Sequence, residues 1–326
     1  MGTFPPQAGR AGISTIGGVS ASSPQQSSSQ RAGLPFFKGH GTQNDFVIVP
    51  DPDGVLEIGP ETVAALCDRR AGIGGDGLLR VVRAAADPAA ADLADRAEWF
   101  MDYRNSDGSI AEMCGNGLRV FARFLVEAGL AKPGELAIAT RSGVLTAKVA
   151  EDAEDGTPGE VTVGMGRARL PGPDGIEVAV GERRWPALNV NMGNPHAVAF
   201  VESLDHAGDL FTAPLTSPEG AYPEGVNVEF VVDRGPRHVA MRVHERGSGE
   251  TRSCGTGACA VAVAAIRRDG ADPAVTGEAV SYTVDVLGGR LVITEHPDGR
   301  VEMTGPAVIV AEGRLDERWW GSLTRG

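Results

Sequence analysis

Cys114-Gly115-Asn116-Gly117 leads into the apolar run Leu118-Arg119-Val120-Phe121-Ala122-Arg123-Phe124-Leu125. The chain repeats the device at Cys254-Gly255-Thr256-Gly257, ahead of Ala258-Cys259-Ala260-Val261-Ala262-Val263-Ala264-Ala265-Ile266. Each reads as a glycine turn opening a helix, the first over residues 117–128. A cysteine just before a helix sits at the positive end of the dipole, among N–H groups without partners, and both effects favour thiolate over thiol. The same N–H groups are ready to hold an anion. Two such units predict a two-sided site: a sulfur on each face, and two anion cradles converging on one negatively charged group.

The repeat extends outward. Each half carries an asparagine turn (Gln43-Asn44-Asp45; Gly193-Asn194-Pro195), then the cysteine helix, then a strand opened by glycine (Ser142-Gly143-Val144-Leu145; Gly288-Gly289-Arg290-Leu291). The segments between alternate like strands, as in Asp45–Val49, Glu98–Arg104 and Asn227–Val232. These patterns predict an α+β fold of two pseudo-symmetric lobes, each a mostly antiparallel sheet wrapped around a central helix, with the site in the cleft between them. The expected division is residues 34–164 plus 306–320 for the first lobe and 165–305 for the second. Residues 1–33, rich in Gly, Ser, Gln and Pro and without an apolar core of signal-peptide length, read as a disordered tail.

The 326 residues carry a formal net charge of −13, which argues against a nucleic acid or an anionic membrane as the main partner. No apolar run approaches the ~20 residues of a membrane helix. Four cysteines in so long a chain are no disulfide framework, so a cytoplasmic location is expected. The only lysines are Lys38, Lys132 and Lys148, and none lies in a convincing site for a pyridoxal Schiff base.

Gly72-Ile73-Gly74-Gly75-Asp76-Gly77 spells G-x-G-x-x-G, but in reversed context: a helix opened by Pro60-Glu61 and running to Arg70 precedes it, and the β-like Leu78–Val82 follows. A dinucleotide fingerprint needs strand before and helix after, so this is read as a tight turn. Cys67 and Cys259 read as small core residues. Cys254 and Cys259, five apart, point to different helix faces and lack further ligands at zinc spacing, so no metal site is expected.

Two thiols on opposite sides of one centre suit inversion at carbon: one sulfur removes a proton and the other donates one to the opposite face. A hydrogen α to a carboxylate and an amine is weakly acidic. Without an electron-sink cofactor, the protein itself must stabilise the developing dianion through aimed N–H donors, each worth roughly 3 kcal/mol in a dry site.

The paired motifs Met113-Cys114-Gly115-Asn116-Gly117 and Ser253-Cys254-Gly255-Thr256-Gly257 resemble the diaminopimelate epimerase family. So do His40-Gly41-Thr42-Gln43-Asn44-Asp45-Phe46, Asn191-Met192-Gly193-Asn194-Pro195-His196, Val243-His244-Glu245-Arg246-Gly247-Ser248-Gly249-Glu250-Thr251 and Met303-Thr304-Gly305-Pro306. The resemblance runs from about residue 36 to 310. It implies a cofactor-independent two-base epimerase interconverting LL- and meso-diaminopimelate, on the way to lysine and peptidoglycan, and commonly a homodimer.

By that resemblance Cys114 and Cys254 match the acid/base pair, and Gly115, Asn116, Gly255 and Thr256 the carboxylate cradle. Glu245 matches the position that meets the reacting ammonium, and Arg246 the one that grips the distal carboxylate with its planar fork. Asn44, Asn105, Asn194 and Asn227 match positions that recognise the ends of the substrate, while His196 and Glu245 match residues tuning the thiols. The glycine turn departs from the pattern, since some members carry Gln where this chain has Gly77, and Gly77 is left out of the site. Three rivals remain at this point. A proline or hydroxyproline racemase of the same architecture is expected to show His in place of Asn116. A non-catalytic or non-cysteine relative that keeps the lobes as a binding module would lack one or both cysteines, and this chain keeps both. A thiol redox protein would form a disulfide in turnover.

Overall fold

A computed structural model describes residues 33–111, 113–172 and 175–324. The expectation for residues 1–33 falls, but for Gly33, outside the described residues. The first half runs β1 (Pro35–Gly41), β2 (Asn44–Pro50), α1 (Pro60–Cys67), β3 (Gly77–Arg83), β4 (Trp99–Asn105), α2 (Gly115–Glu127), β5 (Gly134–Thr140), β6 (Gly143–Val149) and β7 (Val161–Arg167). The second runs β8 (Glu177–Val180), β9 (Arg183–Asn191), β10 (Pro195–Phe200), β11 (Leu215–Ser217), β12 (Asn227–Gly235), β13 (His238–Glu245), β14 (Gly249–Glu250), α3 (Gly255–Arg268), β15 (Val280–Val286), β16 (Gly289–Glu295) and β17 (Arg300–Gly305). The strand β18 (Val308–Arg314) and a helical segment, Glu317–Leu323, follow.

The ladders make the repeat visible. In the first lobe β1/β2 is antiparallel, β2/β3 parallel, β3/β4 antiparallel, β4/β5 parallel, and β5/β6/β7 antiparallel. The second lobe repeats that sequence of senses with β9, β10, β12, β13, β15, β16 and β17. Antiparallel pairing of β7 with β17 joins the two sheets. β18 pairs with β1, and an antiparallel bridge from Arg169 to Asn191 sets the segment after β7 beside β9.

Each sheet wraps its own helix. Helix α2 packs against β1, β2, β6, β7 and β18, and α3 against β9, β10, β12, β15, β16 and β17. Residues 115–125 of α2 are all buried, as is all of 257–266 of α3; α3 is accordingly apolar on every side, whereas α2 takes Asn116, Arg119 and Arg123 into the core with its apolar residues. In α3 this is done with Ala, Val and Cys, small enough for close strand approach. The two helices and the inner strand faces form the main hydrophobic core.

The glycine turn behaves as its context requires, with α1 before it and β3 after. Helix α1 stops at Cys67, short of the expected Arg70. The Asp68 carboxylate accepts from the N–H groups of Arg70 and Ala71 at 2.7 and 2.6 Å, and this side-chain turn competes with a further helical turn. At Gly77 an added Cβ would lie 2.6 Å from the Arg104 carbonyl oxygen and 2.7 Å from the Tyr103 ring, so this backbone has no room for a side chain there. Among the described residues no helix is long and apolar enough to cross a membrane.

Candidate active site

A cavity of about 1070 Å³ opens between the two helix starts. Both cysteines line it, one from each lobe, and each is the N-cap of its helix. Cys114 Sγ accepts from Gly117 N at 3.4 Å, and Cys254 Sγ accepts from Gly257 N at 3.3 Å. At Gly115 and Gly255 the absence of a Cβ lets the backbone approach what lies opposite. A Cβ at Gly115 would come within 2.7 Å of Met165 Sδ and 2.8 Å of Met303 Cε. One at Gly255 would lie 3.2 Å from Met303 Cε and 3.4 Å from Asn116 Oδ1, which belongs to the other helix. Met303 thus sits beneath both helix starts.

Asn116 is buried and ties the lobes together. Its Nδ2 donates to Ser253 O at 3.1 Å and to Asn44 Oδ1 at 3.2 Å. Asn44 Nδ2 donates to Asp76 Oδ2 at 2.8 Å, and Asn44 Oδ1 lies 3.8 Å from Cys114 Sγ. On the other side Asn194 Nδ2 donates to Thr256 Oγ1 at 3.4 Å, which lies 3.6 Å from Cys254 Sγ. Thr251 donates a short hydrogen bond to Glu245, whose carboxylate interacts electrostatically with Cys254. Asn44, Asn105, Gly115, Asn116, Asn194, Glu245, Arg246, Gly255 and Thr256 line the cavity with the two cysteines.

His196 and Asn227 do not. His196 is wholly buried behind Asn194, with Nδ1 2.6 Å from Glu229 Oε1 and Nε2 3.0 Å from Asn194 Oδ1. Asn227 is buried as well: its Oδ1 accepts from Arg246 N at 2.9 Å and its Nδ2 donates to Pro195 O at 3.1 Å. Both carboxamide ends are engaged in protein, so this side chain supports the Arg246 backbone. β10 and β12 run parallel with His196 opposite Asn227, so the two side chains lie side by side on one sheet face.

The electrostatics correct the expectation drawn from the helix dipole. Burial pushes the Cys114 thiol up to about 11, and Glu245 adds to the rise; the Gly117 amide works against it, with the expected sign, but is outweighed. Cys254 rises well above its ordinary value, from burial first and then from Glu245 and Glu229. Burial likewise raises Glu245. The resting site therefore holds protonated thiols, because removing a sulfur anion from water costs more than one or two amides return.

Tyr103, Gln43, Asp76 and Arg252 also line the cavity and were missed from sequence. Tyr103 was legible in principle: it lies two residues before Asn105 on one strand, hence on the same face. Its hydroxyl donates to Asn105 Oδ1 at 2.8 Å. Arg252 donates a short hydrogen bond to Gln43 across the lobes, a pairing 209 residues apart that no local pattern announces. Among the described residues no three His, Cys, Asp or Glu side chains converge as metal ligands do.

Fold and site together define a class: a two-lobed α+β protein presenting one helix-capping thiol from each lobe to a shared cavity. The fold is that of a phenazine biosynthesis protein of the PhzF family from Bacillus anthracis (TM-score 0.61, 17% identity, 87% of this chain and 99% of that one). A probable proline racemase from Agrobacterium radiobacter K84 shares it too (TM-score 0.61, 16% identity, 87% and 93%). Within that class the chain belongs to the diaminopimelate epimerase family, which it matches over residues 36–171 and 188–310. It is 71% identical over 286 residues to the diaminopimelate epimerase of Streptomyces coelicolor, covering 88% of this chain and 96% of that protein.

Proposed function

We propose that this chain interconverts LL-2,6- and meso-2,6-diaminopimelate by exchanging the proton on one α-carbon, an isomerase reaction in lysine and peptidoglycan-precursor synthesis, with Cys114 and Cys254 as the acid/base pair. The observation that carries the reading is that one cavity receives a sulfur from each lobe, each at a helix start. With the family assigned, the proline-racemase rival loses its footing, and Asn116 stands where that class is expected to carry His.

In this reading the substrate's reacting carboxylate lies between the starts of α2 and α3, against Gly115, Asn116, Gly255 and Thr256. Its ammonium faces Glu245, and Arg246 takes the distal carboxylate. The Glu245–Cys254 pair shares one negative charge. The ammonium offsets it, so a proton passing from Cys254 to Glu245 leaves a thiolate beside a neutral acid. A thiolate on one face takes the α-hydrogen as a proton, and the C–H electron pair moves into the carboxylate. The opposing thiol delivers its proton to the other face. Thiol and thiolate have then exchanged sides, and the reverse reaction runs by the same steps. His196 and Asn227 act from behind, holding Asn194 and the Arg246 backbone.

The lobe division of 34–164 plus 306–320 against 165–305 is supported by β18 returning to β1. The chemistry needs both thiols reduced, which suits a cytoplasmic enzyme, and the family resemblance points to a homodimer that sedimentation velocity would test. The deciding experiment is incubation with LL-diaminopimelate in deuterated water without added cofactor. Deuterium at one α-position per turnover is expected; a folded, reduced protein that incorporates none would sink the reading.

A further inference from the structure

Arg119 has no part in the readings above, yet it lies five residues after Cys114 on α2 with none of its surface exposed. Its Nη2 donates to Asn116 Oδ1 at 2.7 Å and to Thr42 Oγ1 at 3.1 Å. Nε and Nη1 have no hydrogen-bond partner among the described residues, so no carboxylate grips this cation. Its space is kept open by glycines of two motifs whose use was otherwise unexplained. A Cβ at Gly305, in Met303-Thr304-Gly305-Pro306, would lie 2.4 Å from Nη1, and one at Gly41 would lie 3.0 Å from Nη2. A buried, uncompensated guanidinium is expensive, and its retention calls for a use.

The hydrogen bonds indicate the use. Arginine only donates, so the Asn116 atom facing it is the oxygen, and Nδ2 is turned toward Ser253 and Asn44. Asn44 is fixed from its far side as well, because the Asp76 carboxylate takes its Nδ2. With a donor-only group at one end and an acceptor-only group at the other, neither amide is free to flip. The result is an oxygen, Asn44 Oδ1, beside Cys114 Sγ, where it accepts from a thiol and repels a thiolate.

We propose that Arg119 is a positioning residue for proton transfer at Cys114: it orients Asn116 and through it Asn44, and sets a fixed positive charge behind the helix starts where the reacting carboxylate gathers charge. The inference rests on the epimerase reading. Its charge also works on Cys114 against burial and Glu245. The groups facing the pair are Cys259, Glu160 and His40 around Arg119, and Glu245 and Tyr103 around Cys114.

The test compares Arg119→Met and Arg119→Lys with the wild type for kcat, KM, pH profile and thermal midpoint. Arg119→Met should lose about a hundredfold in kcat, as for a misplaced reacting group, with KM changed less than about threefold. Its melting temperature should change little, because relief of the desolvated charge offsets the hydrogen bonds that Asn116 Oδ1 and Thr42 Oγ1 lose. The pH-profile limb set by Cys114 should move to higher pH in Arg119→Met and stay in place in Arg119→Lys, which keeps the charge, loses the fork and should lose about tenfold in kcat. Arg119→Met with kcat within threefold of wild type overturns the proposal. So does parallel loss of melting temperature and activity that Arg119→Lys restores in full, the mark of a purely structural residue. If Arg119→Met does not fold, Arg119→Lys decides alone: lowered kcat at unchanged KM supports the proposal, and wild-type kcat overturns it. Wild-type protein that exchanges no deuterium refutes the epimerase reading and this inference with it, whereas active wild type beside unaffected variants refutes this inference only.

Discussion

Asn116 Nδ2 donates to Ser253 O at 3.1 Å: the side chain two residues beyond Cys114 is bonded to the carbonyl one residue before Cys254. The two sulfurs are therefore not carried by independent lobes that happen to face each other. Their helix starts are joined by a buried hydrogen bond spanning 137 positions of sequence, and any relative shift of the lobes must break or bend it. Pre-set geometry of this kind matters because a misplacement of ~1 Å costs about a hundredfold in rate.

Removing either thiol should stop inversion. Cys114→Ala and Cys254→Ala are each expected to lower kcat by about 10²–10⁴-fold, the usual worth of a positioned acid or base. Stereochemical assay of both LL and meso substrates checks this. Near-normal turnover by either variant would refute the two-base assignment.

Tyr103→Phe removes the hydroxyl that holds Asn105 Oδ1. The carboxamide then keeps only its bond from Nδ2 to Ser109 Oγ. Loss of one such hydrogen bond, worth about 1 kcal/mol, should raise KM about fivefold with little change in kcat. A larger effect on kcat than on KM would place Tyr103 in the chemistry instead.

Two glycines should respond differently to alanine. At Gly288 the new Cβ would lie 1.8 Å from the Thr42 carbonyl oxygen, where backbone meets backbone between the lobes. At Gly115 the obstacles are the flexible ends of Met165 and Met303. Gly288→Ala is expected to cost about 3 kcal/mol of stability and Gly115→Ala about 1. Gly115→Ala should nevertheless lose the greater share of its activity, since the methionines yield at the cost of moving the carboxylate cradle. Urea midpoints together with kcat separate the two.

Stability should fall in alkali. The ordinary thiol value is 9.0; burial raises Cys67 to about 11 and Cys259 to about 12. For a group raised on folding, the stabilisation is complete below the unfolded value and drains away as pH climbs toward the folded one. The unfolded chain binds fewer protons there, so each buried thiol removes about 1.4 kcal/mol per pH unit above pH 9. Unfolding midpoints at pH 8, 9 and 10 should decline, and Cys259→Ala should flatten the decline by one thiol. An unchanged slope in that variant would show that Cys259 titrates normally.

Much of the molecule is written locally. The Cys-Gly-x-Gly starts, the apolar runs that follow them and the repeated asparagine turns are near-neighbour patterns. Side-chain chemistry and backbone preference act over a few residues, so the two-lobed plan and the paired thiols could be read from them, while the rest of the cavity-lining set, from Asn44 to Thr256, came from the family resemblance. The boundary at Arg70 could not, because the competing Asp68 turn lies in a stretch whose composition still favours helix.

Other features depend on groups far apart in the chain. Only the assembled strands put β18 beside β1, bury His196 and Asn227 among protein partners, and pair Arg252 with Gln43. Only the closed core buries Arg119 and lifts both thiols, since desolvation is set by everything that surrounds a group. The sequence by itself determined which atoms stand at each helix start; the tertiary structure decided whether they carry charge, because that depends on how much water the other lobe excludes.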